Sequence, residues 1–324
     1  MSLDSDVIVD RRRMRRELTF WRVVAVLIAI AALSALGLAM SPQGRTALST
    51  TGSIARVNIE GLIRSDHERV EALERLENSS AEAVIVHINS PGGTTAGSEQ
   101  LYDSLVRLKA KKPLVVVVEG LAASGGYIGA IAADHIVAQQ SSLVGSIGVL
   151  FQYPNVSELL KTIGVKVEEI KSSPLKAAPN GYSPTSPEAR AALESLVMDS
   201  YVWFRDMVKD RRQLDTATLD RVADGRVFTG RQAIGLKLID ELGSERNAIA
   251  WLAKEKNVDP SLPVRDYKLT ERFSDLSFLR IASMALDAAG LTALARRFED
   301  LSGLALDRLN LDGLLAVWHP PVSN

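Results

Sequence analysis

Strand-like and helix-like segments alternate from residue 53 onward, and this alternation constrains the fold more than any other feature. Residues 54–59 alternate apolar and polar side chains as a half-buried strand does, whereas residues 83–88 and 114–118 are apolar runs typical of fully buried strands. Charged segments with helical periodicity, at residues 66–78 and about 97–109, separate these strands. The order predicts an α/β fold with a largely parallel sheet, in which active sites lie at the carboxyl ends of the strands.

Two glycine-rich segments follow the strands at this predicted carboxyl edge. In Asn89-Ser-Pro-Gly-Gly93, two successive glycines free the backbone to turn N–H groups toward a ligand, as an oxyanion hole requires. In Ala122-Ala-Ser-Gly-Gly-Tyr127, Ser124 stands between a strand and a helix start, a position that suits a nucleophile with N–H groups beside it. Taken singly, each segment is also typical of an ordinary turn.

A serine nucleophile needs a base, and the chain offers a lysine more readily than a histidine. His87 and His135 fall within or beside strand patterns, where a structural role is the default. Lys176 follows a strand-like segment and is flanked by Pro174, Leu175 and two alanines. Such an apolar setting would favour the neutral amine that a lysine base requires, although a solvated loop lysine is the alternative.

The composition argues against several classes of function. The balance of 38 basic and 39 acidic residues gives no reason to expect binding to nucleic acid. Cysteine is absent, which excludes a disulfide framework, a cysteine nucleophile and a thiolate metal site. The four histidines lack metal-ligand spacing: His67, His87, His135 and His319. We therefore expect no metal and no other cofactor.

Residues 23–40 form an uncharged apolar run that predicts a transmembrane helix. At 1.5 Å per residue the run spans about 27 Å, close to the thickness of a bilayer core. Arginines crowd into the basic segment of residues 1–22, which is therefore predicted to stay in the cytoplasm. A cleaved signal peptide, with Gly37 and Ala39 before the cut, is the alternative, but the run exceeds a usual signal core. Residues 41–52 are predicted to be a flexible linker.

Further elements are predicted beyond the two glycine-rich segments. Residues 165–170 alternate as a strand, residues 226–240 resemble a strand-turn-helix element, and residues 244–256 have the pattern of a helix. Residues 187–212 predict a long helix with five buried side chains: Leu193, Leu196, Val197, Val202 and Phe204. The amphipathic tail, residues 269–324, is compatible with an interfacial helix on lipid, a subunit contact or a packing arm.

Five segments occur together in a fixed order along the chain. They are Asn89-Ser-Pro-Gly-Gly93, Ala122-Ala-Ser-Gly-Gly-Tyr127, Val144-Gly-Ser-Ile-Gly-Val149, the loop from Lys171 to Lys176, and Gly225-Arg-Val-Phe-Thr-Gly230. Over about residues 53–260 they resemble the signal peptide peptidase A family, membrane-anchored serine–lysine proteases with a ClpP/crotonase fold. The resemblance implies an α/β domain of repeated β-β-α units at residues 53–268, in the short form without internal duplication.

The resemblance also implies a role for each matching residue. Ser124 would be the nucleophile and Lys176 the general base, with Ser146 orienting the lysine amine by a hydrogen bond. The backbone N–H groups of Gly93 and Gly125 would form the oxyanion hole.

One segment departs from the family pattern. Family members tend to have Ser-Gly-x-Tyr-Lys at the base, whereas this chain has Ser172-Ser-Pro-Leu-Lys176. The spacing still favours Lys176, and Lys171 is a weaker candidate.

The resemblance implies a function and a location for the whole protein. It would be a serine endopeptidase that degrades remnant signal peptides and other apolar peptides. It would sit in the bacterial inner membrane and contact its lipid, with the catalytic domain on the periplasmic side. A ring-shaped homo-oligomer with sites at protomer interfaces would be expected, because the family's serine and lysine come from different repeats or protomers.

Three alternatives stay open at this stage. An acyl-CoA enzyme of the crotonase type would also use glycine-rich turns, but CoA is a cytoplasmic ligand and suits an exported domain badly. A ClpP-like Ser–His–Asp peptidase would carry a histidine near the position of Val149, where this chain has none. A catalytically inactive membrane scaffold that binds peptides is the third.

Overall fold

The computed structural model describes residue 21 and residues 52–269 and 315–317. The predicted transmembrane helix at residues 23–40 lies outside the described residues, as does most of the predicted tail. Among the residues that are described, no helix is long and apolar enough to cross a membrane.

The described part of the chain contains nine strands and eight helices. The strands are β1 (Ser53–Ile63), β2 (Ala81–Thr94), β3 (Leu114–Ala123), β4 (His135–Ala138), β5 (Leu143–Gly145), β6 (Val227–Thr229), β7 (Glu241–Leu242), β8 (Val264–Asp266) and β9 (Leu315–Val317). The helices are α1 (His67–Glu77), α2 (Thr95–Lys111), α3 (Gly125–Ala130), α4 (Ser157–Thr162), α5 (Pro187–Arg212), α6 (Thr216–Val222), α7 (Gly230–Gly235) and α8 (Glu245–Lys256).

The strands form one sheet in the order β6-β5-β3-β2-β1-β8. The pairs among β1, β2, β3, β4 and β8 that contact one another are parallel, whereas β5 and β6 are antiparallel. Helices α1 and α2 connect the three long parallel strands, as β-α-β crossovers do. The predicted α/β fold with a largely parallel sheet is therefore confirmed.

Each long strand consists of two consecutive halves. Along β3, residues Val115 to Val118 pair with β4, and residues Leu121 to Ala123 pair with β5. The β2–β3 register shifts between Ile88 and Ser90, so the second half of β2 takes a new alignment. A long strand in two halves followed by a helix amounts to a β-β-α unit, and the second halves lead into the glycine-rich segments.

Apolar strands place the core on both faces of the sheet. The larger core includes Val84, Val86 and Val116 and lies under α1, α2 and α3. The smaller core includes Ile85 and Val117 and is covered by Ala248 and Leu252 of α8. Because side chains alternate along a strand, the predicted apolar runs are buried on both faces, as in other parallel sheets.

Two predictions made from periodicity are wrong. Residues 165–170 form no strand, because the described chain has no neighbouring strand with which their backbone could pair. Of the five side chains predicted to be buried in α5, only Phe204 is; Leu196 and Val202 are about half exposed. In the part of the chain that the structure describes, the side chains of Leu196 and Val202 therefore stay on the surface.

Candidate active site

Ser124 occupies the sharp turn between β3 and α3. Its backbone angles, φ 55° and ψ −118°, are ones that a residue with a Cβ rarely adopts, and such a conformation costs about 1–3 kcal/mol. Backbone hydrogen bonds hold the turn: the Ser124 N–H donates to the Gly145 carbonyl at 2.7 Å, and the Tyr127 N–H donates to the Ser124 carbonyl at 2.9 Å. The side chain is therefore fixed at the strand-to-helix junction, and Ser124 is 1% exposed.

Ser146 lies beside Ser124 because their strands are paired. Ala123 of β3 and Gly145 of β5 are register partners. Ser124 directly follows Ala123, and Ser146 directly follows Gly145. Ser146 also has a positive φ of 51°, and its N–H donates to the Arg226 carbonyl at 2.8 Å. The Ser124 hydroxyl reaches the Gly148 carbonyl at 3.5 Å, the outer limit of a hydrogen bond. The segment after β5 therefore borders the Ser124 hydroxyl.

The glycine segment at the end of β2 is pinned by Ser90. The fully buried Ser90 hydroxyl donates to the Gly61 carbonyl at 2.7 Å and accepts from the Gly92 N–H at 3.0 Å. A Cβ at Gly93 would collide with the backbone of Ile63, so only glycine fits there. The packing of β1 on β2 therefore fixes the backbone at Gly93, one of the two predicted oxyanion glycines.

The start of α3 packs closely against the same segment. A Cβ on Gly126 would lie 2.7 Å from the Ser90 carbonyl oxygen, so this close approach also requires glycine. Gly125 is the first residue of α3, and a first helical N–H has no partner within its own helix. The structure therefore brings the segments of Ser124, Gly125, Ser146 and Gly93 together at one edge of the sheet.

Tyr127 ties α3 to another part of the chain by a hydrogen bond of its side chain. Its hydroxyl donates to the Leu238 carbonyl at 2.7 Å, and the ring is fully buried. Burial raises the pKa of Tyr127 because the phenolate would lose its hydration, so the group stays a neutral donor. This bond ties the helix that follows Ser124 to the turn after α7.

Lys176 lies elsewhere, in a segment that leaves the sheet after β5 and returns at α5. Hydrogen bonds join the two ends of this segment. The Val156 N–H donates to the Gly181 carbonyl at 2.8 Å, and the hydroxyl oxygens of Tyr153 and Thr185 lie 2.6 Å apart. Lys176 is exposed, so the apolar neighbours that we expected to desolvate its amine do not cover it in this chain. Within residues 52–269, no hydrogen bond joins Lys176 to Ser124.

Lys171, the second candidate for the general base, contacts Glu169. Lys171 Nζ lies 2.6 Å from Glu169 Oε2. An amine that is bonded to a carboxylate is already engaged and is not directed at a nucleophile. The geometry of this chain therefore gives Lys171 no advantage over Lys176.

A polar cavity of about 460 Å³ lies on the sheet face that α8 covers in part. Its charged groups bind one another: Arg56 donates two bonds of 2.6 Å to Glu245 and one of 2.9 Å to Asp266, and His87 Nε2 lies 2.7 Å from Glu245. The hydrogen bond from Arg56 lowers the pKa of Glu245. Because these partners satisfy each other, we assign the cluster to the packing of α8 on the sheet.

The other histidine of the sheet is also engaged structurally. His135 stacks on Trp251 with ring centroids 4.7 Å apart, and its Nε2 lies 3.2 Å from Glu241. In the part of the chain that the structure describes, no group of three or more His, Asp or Glu side chains is arranged to hold a metal ion.

Sequence reasoning missed the groups that position the predicted residues. The Arg226 carbonyl holds Ser146, the Gly148 carbonyl borders the Ser124 hydroxyl, and the Ser90 side chain fixes the glycine segment. Backbone carbonyls leave no trace in residue types, so the first two could not be found from sequence. Ser90 was visible inside its motif, since a serine two residues before a turn glycine commonly bonds that backbone.

Comparison with protein families gives two matches to this chain. The model of Peptidase family S49 matches residues 106–259, which include Ser124, Ser146 and Lys176. The model of Clp protease matches residues 63–142, which include the three strand ends around Ser124. The sheet with two-part strands is accordingly an α/β fold of the ClpP type.

Individual relatives agree with these families. A Synechocystis protein named as a candidate protease is 37% identical over 214 residues, covering 65% of this chain and 77% of its own length. A candidate signal peptide peptidase SppA of Enterococcus faecium is 31% identical over 227 residues, covering 68% of this chain and 66% of the relative. The chloroplastic serine protease SPPA of Arabidopsis thaliana is 35% identical over 212 residues, covering 64% of this chain and 30% of the relative. The last two therefore extend well beyond the matched part.

Proposed function

The chain belongs to peptidase family S49, the signal peptide peptidase A family of serine peptidases, and from this premise we propose that it is a membrane-anchored endopeptidase for remnant signal peptides. The observation that carries the proposal is the Ser124 turn. A serine held at positive φ, with a helix start on one side and a fixed glycine segment on the other, is arranged for acyl transfer.

In the proposed mechanism, the neutral amine of Lys176 removes the proton of the Ser124 hydroxyl. The hydroxyl oxygen attacks the peptide carbonyl, and the N–H groups of Gly93 and Gly125 stabilise the negative oxygen; one such donor is commonly worth about 2.7–4 kcal/mol. The lysine then protonates the leaving amine, and water repeats the cycle to release the acyl group. Ser146, adjacent to Ser124 in the structure, would orient the amine.

We propose that Lys176 reaches Ser124 from a neighbouring copy in a ring-shaped homo-oligomer. Three observations support this assembly: Lys176 is exposed, it has no bond to Ser124 among the described residues, and its segment carries a row of exposed apolar side chains. These are Leu159, Ile163, Val165, Val167 and Ile170. A patch of this kind on a single chain is typical of a surface that another protein covers.

The membrane location belongs to the same proposal. The apolar run at residues 23–40 would anchor the chain in the inner membrane, and the arginines before it would keep the N-terminus in the cytoplasm. The catalytic domain would then face the periplasm, where remnant signal peptides rich in leucine and alanine would be its substrates.

The test is covalent labelling of Ser124 in the full chain, solubilised in mild detergent. We expect a fluorophosphonate probe to label the wild-type protein and to lose its target in Ser124→Ala, together with hydrolysis of an apolar peptide. Ser104→Ala is the matched control, because Ser104 is buried but bonds only within its own helix region, to the Gln100 carbonyl and Arg107. Equal labelling of wild type and Ser124→Ala would refute the assignment of the nucleophile.

An inactive peptide-binding scaffold is the second candidate, and one observation favours it. Lys176 and Ser124 are not joined within the described chain, so the base is missing unless assembly supplies it. Such a scaffold would bind apolar peptides without cleaving them and would leave the probe unreacted in wild type as well.

A further inference from the structure

The helix that follows Ser124 is held at its far end by an arginine from another part of the chain. Arg211, in the last turn of α5, donates from Nε to the Ile131 carbonyl at 2.7 Å. Its Nη2 donates to the carbonyls of Ala132 at 3.2 Å and Ala133 at 2.9 Å. One guanidinium therefore bonds three successive carbonyls directly after α3.

These three carbonyls need partners from outside the helix. The last carbonyls of a helix have no N–H group ahead of them within the same helix. Residues 131–133 are at most 6% exposed, so water has little access to them, and an unpaired buried carbonyl is costly. The planar fork of N–H donors on an arginine can serve several carbonyls at once. Arg211 therefore meets a requirement that the end of α3 creates.

Helix α3 can pass a displacement of this end on to the nucleophile, because it is short and closely packed. It contains only the six residues Gly125–Ala130, and all of them are buried. Seven positions separate Ser124 from Ile131, which is about 10 Å at the rise of a helix. Because a close-packed interior transmits displacements, a shift at Ile131 moves the Ser124 hydroxyl and the first N–H of the helix.

The last turn of α5 is itself fixed to the body of the fold. Arg212 donates to the Lys237 carbonyl at 2.7 Å and to the Asp240 carboxylate at 2.6 Å. Asp240 in turn accepts from the Ile136 N–H of β4 at 2.8 Å. These bonds give Arg211 a fixed position from which it holds α3.

We propose that Arg211 is a positioning residue for peptide cleavage, which keeps the Ser124 hydroxyl and the Gly125 N–H aligned for attack by holding the opposite end of α3. This inference rests on the proposed function, because alignment matters to the reaction only if Ser124 is the nucleophile. Helix α5 begins directly after the segment that carries Lys176. One helix therefore connects the segment of the proposed base to the support of the nucleophile.

Loss of this support acts on the reaction step rather than on substrate binding. A misplacement of about 1 Å can lower a rate about a hundredfold, so we expect Arg211→Gln to lower kcat about tenfold to a hundredfold and to leave KM unchanged. A peptide aldehyde forms an adduct with Ser124 whose oxygen occupies the oxyanion position, and its affinity should fall by the same factor as kcat. The amide of the same peptide should bind as it does to wild type.

The test compares Arg211→Gln with Arg205→Gln in the full chain, solubilised in mild detergent. Arg205 is the matched control, because it lies on the same helix but bonds Asp220 of α6 at 2.6 Å instead of α3. Fluorophosphonate labelling carried to completion counts the competent serines. When kcat is expressed per labelled site, a loss of folded protein no longer affects it. Hydrogen–deuterium exchange over residues 127–133 reports on the end of α3 without turnover.

We expect a lower kcat per labelled site, weaker aldehyde binding and faster exchange over residues 127–133 in Arg211→Gln, and none of these changes in Arg205→Gln. An unchanged kcat per labelled site, unchanged exchange, or an equal loss in both variants overturns the proposal.

A second variant covers the case in which Arg211→Gln fails to fold. Arg211→Lys keeps the charge but not the planar fork, so we expect a smaller loss of kcat per labelled site in the same direction, and the wild-type value overturns the proposal. If wild type itself takes up no fluorophosphonate, the proposed function fails, and exchange over residues 127–133 alone then decides whether Arg211 holds α3.

Discussion

Two regions of this chain carry the two halves of the proposed catalytic pair, and they differ in how they are held. The serine region, residues 53–148, contains the long strands, and its Ser124 is fixed by backbone hydrogen bonds and is 1% exposed. The lysine region, residues 151–186, contains only the short helix α4, and Ile163 and Ile170 within it are more than half exposed. The serine region buries its apolar side chains in a hydrophobic core, whereas the lysine region presents apolar side chains to solvent.

If the proposed catalytic pair is correct, the difference means that the single chain completes only half of the site. The nucleophile and its glycine segments need no further partner, because β1, β2 and β5 already define their positions. A hydrogen bond between Tyr153 and Thr185 joins the two ends of the lysine region, but the region has no hydrophobic core of its own. Under the proposed function, contact with another copy would bury its apolar row and bring an amine to Ser124.

The largest effect that tests this comparison is the loss of the proposed base. We expect Lys176→Ala to lower kcat about 10²–10⁴-fold, because general-base catalysis contributes a factor of that size. Lys171→Ala should retain most activity, since Lys171 is paired with Glu169 instead. Steady-state hydrolysis of an apolar peptide by the assembled full chain measures both.

The two lysine variants also control for each other, because they lie five positions apart in the same region. Fluorophosphonate labelling of Ser124 should fall in Lys176→Ala, while the unfolding transition stays where it is in wild type. Equal activity of the two variants would remove Lys176 from the mechanism, and full loss in Lys171→Ala alone would transfer the role of base to Lys171.

The next effect compares the same substitution in the two regions. Ile85→Ala creates a cavity in a fully buried strand under α8, and we expect it to lower the free energy of unfolding by about 2–5 kcal/mol. Ile170→Ala shortens a fully exposed side chain and should change the free energy of unfolding by less than about 0.5 kcal/mol. Urea unfolding of the detergent-solubilised chain, followed by tryptophan fluorescence at low protein concentration, measures both.

A charged residue at position 170 tests whether the lysine region forms a subunit contact. Ile170→Asp should leave the folding of the serine region intact but weaken assembly, because a carboxylate in a covered apolar patch loses its hydration. Sedimentation velocity would then show a smaller particle, together with reduced peptide hydrolysis. An unchanged particle would mean that Ile170 is not at a subunit contact.

The serine region could be predicted from sequence because its residues determine its structure locally. Apolar runs at residues 83–88 and 114–118 became buried parallel strands, and the predicted helices at residues 66–78 and 244–256 formed with small shifts in their ends. The turn at Ser124 could be predicted because a buried strand runs into a small-residue helical segment there, and the turn at Gly92 and Gly93 because two successive glycines follow a proline at a strand end.

The lysine region could not be predicted from periodicity, because burial there depends on what packs against it. Residues 165–170 alternate as a strand should, yet a strand also needs a partner, and the described chain supplies none. Likewise, Leu196 and Val202 follow helical spacing on α5 but lie on the surface. The β9 contact with Gly92–Thr94 was equally invisible, since three apolar residues far along the chain carry no sign of where they pair.

The smallest expected effect is the pH dependence of the ion pair that joins the serine region, at Arg56, to Glu245 of α8. Arg56 of β1 donates two hydrogen bonds to Glu245 of α8, and this bonding lowers the pKa of Glu245 below its usual 4.5. A carboxyl whose pKa is lowered by folding stabilises the protein above the unfolded pKa, and this contribution is lost as pH falls through the folded pKa. Glu245→Gln should therefore cost about 1–2 kcal/mol near neutral pH and progressively less below about pH 4.5.

Glu169→Gln is the matched control in the lysine region, because Glu169 forms an ion pair of the same length, 2.6 Å, with Lys171. No buried core residue depends on that pair, so its loss should leave the unfolding of the sheet unchanged at every pH. Urea unfolding of wild type and both variants at about pH 7 and about pH 3.5 measures the difference. If Glu169→Gln destabilises the chain as much as Glu245→Gln, the lysine region is coupled to the sheet, and an amine positioned within the single chain becomes the better account of the base.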